Sequence, residues 1–169
     1  HPIQRGGIQT VGRPVRRIDR EMTEQSEMDE ILARAEYGHL AVCDGDGPYV
    51  VPMNFAALDG RIYFHCASEG RKVDALRENP RACFQAEIDV ELIPSPIACG
   101  WGVAYRSVVV SGRITFVESA EEKGRALSAM MRKLAGDSFS HEFTERELGA
   151  VTVLRLDPDE RRGKARRPD

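Results

Sequence analysis

The stretch Tyr63-Phe64-His65-Cys66-Ala67-Ser68-Glu69-Gly70-Arg71-Lys72 gathers the side chains best suited to chemistry. His65 next to Cys66 suggests a metal pair or an activated thiol, whereas Gly70 followed by Arg71 and Lys72 suggests an anion site. Neighbouring strand residues point to opposite faces, so His65 and Cys66 ligate one ion only if the strand ends there. The remaining histidines (His1, His39, His141) and cysteines (Cys43, Cys83, Cys99) stand in no zinc-site spacing, and no metal is expected. A nucleophilic Cys66 needs a depressed thiol pKa, which Arg71, Lys72 and a nearby helix start could supply, but no general base is marked. The anion reading has three supports: a strand end, a turn of small residues, and a helix beginning near Gly70. Helix N-termini bind anions through free N–H groups and the positive end of the dipole. Two cations at that end are unfavourable unless an anion lies between them. The plainer alternative is that both side chains point into water.

These residues need a scaffold, and the hydrophobic pattern supplies one. Met28, Ile31, Leu32 and Ala35 follow helical spacing after Ser26 and Asp29, which resemble a capping box, and Gly38 ends the helix. Three apolar segments between residues 39 and 66 are separated by "DGDG" and "LDG", Asp-Gly turns that signal antiparallel hairpins. Pro52 cannot donate a ladder hydrogen bond, so the middle strand is at an edge, bulged or interrupted near "VPMNF". A helix follows, with Val73, Ala75 and Leu76 inward and Asn79-Pro80 as its stop. Ala82, Phe84, Ala86 and Ile88 then alternate on a fourth strand. Residues 92–102 read as a loop carrying Trp101. A long β-branched strand follows at "YRSVVVSGRITFVE", then a helix with Leu127, Met130, Met131 and Leu134 inward, a polar stretch with room for a helical turn, and a last strand at "GAVTVLRLD". Without strand-helix-strand alternation, the pattern predicts a mainly β fold, an antiparallel sheet closed into a barrel with flanking helices.

The chain has 169 residues, 41% hydrophobic and 30% charged, which suits one globular domain. The expected organisation is a flexible N-terminal arm over 1–22, the barrel domain over 23–160 and a basic tail over 161–169. Net charge is −3. Arg13, Arg16, Arg17 and Arg20 cluster early, and Arg161, Arg162, Lys164, Arg166 and Arg167 cluster late, but neither run is interleaved with aromatics, so neither nucleic acid nor membrane is an expected partner. With no apolar run long enough to span a bilayer and no leader pattern, the expected address is cytoplasmic, with reduced thiols.

Four segments, "GHLAVCDGDGPYVVPMNF", "GRIYFHCASEGRKVDALRENPRACFQAEID", "ELI" with "ACGWGVAYRSVVVSGR", and "LRLDPDERRGK", together resemble the pyridoxamine 5'-phosphate oxidase-like FMN-binding split barrels, most closely the branch of the nitroimidazole-resistance (Nim) proteins. The resemblance runs from about Glu27 to Lys164. It implies a six-stranded antiparallel split β-barrel, FMN as cofactor, and a homodimer with two flavin sites at the subunit interface. By that resemblance the FMN phosphate is held by His65, Cys66, Ala67, Arg71 and Lys72 with Arg106 and Ser107. The flavin ring lies along Val51, Pro52, Met53 and Asn54, and Trp101 or Tyr105 covers the ring or the partner's site, or fills core. Backbone donors and acceptors suit a flavin edge, which needs hydrogen bonds to tune it. The oxidase's C-terminal substrate-binding Arg and His pattern is missing, so vitamin B6 oxidation is not carried over. The Nim-like branch implies electron transfer to a small acceptor such as a 5-nitroimidazole from a reduced nicotinamide or other donor, with His65 as the catalytic candidate. No G-x-G-x-x-G unit is present for a separate dinucleotide domain. The alternative is a flavin- or haem-binding protein without turnover, in which His65 is an axial ligand.

Overall fold

The computed structural model describes residues 15–168; most of the expected N-terminal arm, with His1 and Arg13, lies outside the described residues. In chain order the elements are β1 (Glu21–Met22), α1 (Gln25–Arg34), β2 (Gly38–Asp44), β3 (Gly47–Met53), β4 (Phe55–Leu58), β5 (Arg61–Cys66), α2 (Arg71–Glu78), β6 (Arg81–Ile93), β7 (Gly102–Phe116), α3 (Ala120–Ala135), α4 (Glu145–Ala150) and β8 (Thr152–Arg166). The strands join one antiparallel sheet in the order β3-β2-β6-β7-β8-β5-β4, with β1 also paired to β8. This is the expected mainly β split barrel with flanking helices. Eight strands stand where six were expected because β1 is a two-residue addition and the middle strand of the meander is broken into β3 and β4.

Turn chemistry sets the two hairpins. At Asp59-Gly60 both residues have positive φ (53° and 75°), the geometry of a tight two-residue hairpin, and Leu58 pairs with Arg61 across it. In the other hairpin the Asp44 carboxylate accepts the Asp46 N–H at 2.9 Å, and the positive φ falls on Gly47.

The barrel interior holds one hydrophobic cluster closed by α1 and α2. Phe84, on β6, meets Phe55 and Phe64 at ring-centroid distances of 4.7 and 5.2 Å. Alternation works as read from the chain: Ala82, Phe84, Ala86 and Ile88 are buried, as are Met28, Ile31, Leu32 and Ala35. A second cluster forms on the outer face of β4, β5 and β8, where Ala126, Leu127 and Met130 of α3 cover Ala56, Tyr63 and Val153. A polar clasp ties α3 down: the Tyr63 hydroxyl donates to Glu122 at 2.8 Å, and Arg155 Nη1 donates to the same carboxylate oxygen at 2.8 Å.

Several local expectations are corrected. Ser26 lies inside α1, whose first turn follows Glu24 without a side-chain cap; the capping box belongs to α4, where Thr144 and Glu147 satisfy each other's backbone N–H. Leu134 is exposed, because the buried stripe of α3 runs through Ala126, Leu127 and Met130 instead. β6 continues to Ile93, shortening the expected loop. β8 continues to Arg166, so Arg161, Arg162, Lys164 and Arg166 are strand residues paired with β7 rather than a solvated tail. Alternating charge hides a strand from composition when its pairing partner is distant in sequence.

Candidate functional site

The break between β3 and β4 organises the site. Met53 pairs with Gly38 of β2, while Phe55 pairs with Phe64 of β5, so the chain crosses at Asn54 from one end of the sheet to the other. Among the described residues β3 is an edge strand with no partner on its outer side, which is where Pro52 is tolerated. Pro52 and Asn54 are exposed and Met53 is buried, while Val51 packs against the barrel core.

Next to this edge β5 ends and α2 begins. Gly70 precedes the helix with φ +118°, a conformation glycine adopts without strain, and no side chain caps the first turn. Among the described residues, the first N–H groups of α2 therefore receive no side-chain cap from their N-cap residue. Lys72 reaches the edge, its Nζ lying 3.4 Å from Met53 Sδ. Cys66 is half-buried, and burial pushes its thiol pKa up while the Lys72 charge pulls the other way. Burial is the larger influence, so Cys66 stays a thiol, which weighs against the activated-nucleophile reading. Met53, Cys66 and Lys72 thus lie together, with Val51 packed against the barrel core and Ala67 in the exposed turn.

Arg71 has an internal partner. Its guanidinium donates from Nε and Nη2 to the Asp44 carboxylate at 2.8 and 3.0 Å and lies 4.6 Å over the Tyr49 ring. This pairing holds the Asp44 carboxyl below the usual carboxylate range. The cation at the helix start is therefore already balanced by the β2–β3 hairpin. Asp44 escaped notice in the sequence because "DGDG" reads as turn chemistry alone.

The other candidates lie elsewhere in the chain. His65 points to the face opposite Cys66, with Nδ1 3.4 Å from Met130 Sδ of α3. Tyr105, Arg106 and Ser107 are on β7, separated from β3 by β2 and β6. Arg106 Nη2 donates to Glu30 at 2.6 Å and Nη1 to Asp89 at 3.2 Å, and the Glu30 carboxyl falls to about 2 under hydrogen bonds from Arg106 and then Arg34. Ser107 Oγ donates to the Lys164 carbonyl at 3.2 Å, Tyr105 pairs with Arg166, and Trp101 is exposed on the β6–β7 connection. One chain therefore presents two groups, the β3–β5–α2 group and the β7 group.

A family model described as pyridoxamine 5'-phosphate oxidase matches residues 24–165. The chain belongs to that family. Among solved structures, a candidate 5-nitroimidazole antibiotic resistance protein from Bacteroides thetaiotaomicron is 26% identical with a TM-score of 0.76, covering 86% of each chain. The flavocytochrome Anf3 from Azotobacter vinelandii is 23% identical with a TM-score of 0.80, covering 92% of this chain and 73% of that one. An FAD-binding protein from Mesorhizobium loti is 21% identical with a TM-score of 0.63, covering 86% and 96%. The last two likenesses show a shared fold. An uncharacterised protein of Rhizobium meliloti is 36% identical over 62 residues, 36% of this chain and 40% of that protein, so the match spans less than half of that relative's length. In this pyridoxamine 5'-phosphate oxidase family protein the broken edge strand and the α2 start are joined by the Lys72–Met53 contact. Among the described residues no helix is long and apolar enough to cross a membrane.

Proposed function

We propose that this protein is an FMN-dependent oxidoreductase that passes electrons from a reduced nicotinamide or other donor to a small acceptor, with nitroaromatics such as 5-nitroimidazoles as the acceptor class. The observation that carries the reading is the Lys72 ammonium: it stands at an uncapped helix start, beside the open edge of a broken strand, with no carboxylate partner among the described residues. A phosphate monoester answers both the unmatched charge and the free N–H groups. The unpaired edge of β3 around Pro52 offers backbone donors and acceptors to a flat heteroaromatic ring. Bound FMN would supply the electron-transfer chemistry at its ring nitrogen N5. Arg71 adds a guanidinium fork once the phosphate competes with Asp44 for it. The likeness at 26% identity to the Bacteroides thetaiotaomicron protein supports the choice of acceptor.

A second copy of the chain completes the proposed site. Val90, Leu92, Ile97, Trp101 and Val103 are all exposed along the β6–β7 arm, and Val50 is exposed on β3, apolar surface that a second copy would cover. In a dimer, Trp101, Tyr105, Arg106 and Ser107 of one copy approach the β3–β5–α2 group of the other. The cytoplasm, with its nicotinamide pool, is the proposed compartment.

Three measurements test this reading. Protein purified without added cofactor shows a flavin absorption band, and anaerobic stopped-flow mixing with either reduced nicotinamide bleaches it. A flavin band that neither nicotinamide bleaches rules out the nicotinamide-linked enzyme and leaves a flavin-binding protein, while a Soret band points to haem at His65. Light scattering gives a dimer; a monomer that retains FMN contradicts the shared site.

A further inference from the structure

Away from the β3–α2 region, α1, α3 and the β4–β5 turn border an open-sided pocket of about 580 Å³, and the half-buried Lys133 is among its lining residues. Lys133 Nζ donates to the Leu32 carbonyl at 2.9 Å and lies 3.4 Å from the Phe55 ring centroid. No carboxylate pairs with it among the described residues. The charged groups around it are otherwise engaged: Asp29 of α1 by Arg161 of β8 at 2.6 Å, Asp59 of the turn by Arg125 at 2.5 Å, and Arg61 by Asp157 at 3.0 Å. Arg132, next to Lys133 on the pocket wall, and Asp137 have no ion-pair partner among the described residues.

We propose that this cavity binds a small anion bearing an aldehyde or ketone and holds it as an imine on Lys133, with Arg132 receiving the anionic end. The requirements of imine chemistry are met one by one. The amine needs to lose its proton, and burial lowers its pKa to about 8 against 10.5 ordinarily. It needs orientation, and the single N–H donated to Leu32 leaves the lone pair of the neutral amine free for the cavity. It needs room beside a counter-charge, and the cavity and Arg132 provide both. The amine nitrogen adds to the carbonyl carbon, a C–N bond forms, and the carbonyl oxygen departs as water with both amine hydrogens. Protonation of the imine nitrogen restores an N–H for the Leu32 carbonyl. No oxidant or reductant is needed, and the site is independent of the flavin reading.

The chain has only four lysines, so the test is direct. The purified protein is treated with glyoxylate and cyanoborohydride from pH 6 to 9, and carboxymethyl lysine is mapped by peptide mass spectrometry. Lys133 is expected to be labelled at least about tenfold faster than Lys164 at pH 7.5, because burial lowers the Lys133 pKa. Its labelling should rise with a midpoint near pH 8. Arg132→Ala should slow labelling by glyoxylate and leave labelling by uncharged acetaldehyde unchanged, which separates a built anion site from a merely exposed amine. Labelling of Lys133 at the pace of Lys164, or an equal response of both aldehydes to Arg132→Ala, overturns the proposal.

Discussion

Replacing Lys72 by methionine isolates the charge on which the anion reading depends. Methionine keeps an unbranched stem of similar length, so packing beside Met53 and Cys66 survives while the ammonium is lost. A charge-assisted hydrogen bond to phosphate is worth about 1.5–3 kcal/mol. At about 1.4 kcal/mol per decade, FMN affinity should fall by about 10- to 150-fold. Riboflavin lacks the phosphate, and its affinity should change by less than about twofold on the same scale. Both constants come from flavin fluorescence titration of the apoprotein. An internal control comes with the same variant. The Lys72 charge lowers the Cys66 thiol pKa, so its removal leaves burial unopposed and iodoacetamide should alkylate Cys66 more slowly at pH 8. Equal losses for FMN and riboflavin, or no loss for either, would refute the phosphate assignment. Slower alkylation with unchanged FMN binding would show that Lys72 acts on Cys66 and not on a ligand.

Three further outcomes follow from the geometry. Asp44→Asn frees Arg71 from its bidentate carboxylate, so FMN should bind more tightly while riboflavin is unaffected in the same titration; weaker FMN binding would mean that Asp44 orients Arg71 productively. Gly38→Ala places a methyl group into the Phe84 ring and the Gln85 carbonyl, and equilibrium urea unfolding should show a loss of about 1–3 kcal/mol or more with an unchanged slope. Hydrogen bonds from Arg155 and then Tyr63 lower the Glu122 carboxyl pKa. The folded pKa is below the unfolded one, so this stabilisation is present above an unfolded value near 4.5 and lost as pH falls through the lower folded value. Thermal unfolding of Glu122→Gln should therefore be less pH-dependent than wild type below pH 5, and identical pH profiles would show that the Tyr63–Glu122–Arg155 clasp contributes nothing.

The α2 start was legible because its signals are adjacent: a strand end, a turn of small residues ending in Gly70, and a helix whose Val73, Ala75 and Leu76 are buried. The interruption near Pro52 was legible for a similar reason, since a missing donor is a property of one residue. The partners were not. Asp44 precedes Arg71 by 27 positions and meets it only because the β2–β3 hairpin folds over the α2 start. Arg106 lies 76 positions from Glu30, and nothing near Tyr105-Arg106-Ser107 in the chain announces that carboxylate partner. The Thr144–Glu147 capping box was present in the letters but surrounded by polar residues, without the apolar run that usually marks a helix behind it.

Taken alone, the chain determined the types of α1, α2, α3 and the central strands, the buried faces of α1, α2 and β6, the hairpin turns and the place where the middle strand breaks, because periodicity and turn geometry act over a few residues. Only the tertiary structure decided that β3 and β4 lie at opposite ends of the sheet, that β8 carries the late basic residues as a strand, that His65 faces α3 while Cys66 faces Lys72, and that Lys133 loses solvent beneath α1. These features depend on which distant strands pair and in what register, and on burial created by other elements. A side chain's environment at that range is a property of the closed barrel rather than of its neighbours in the chain.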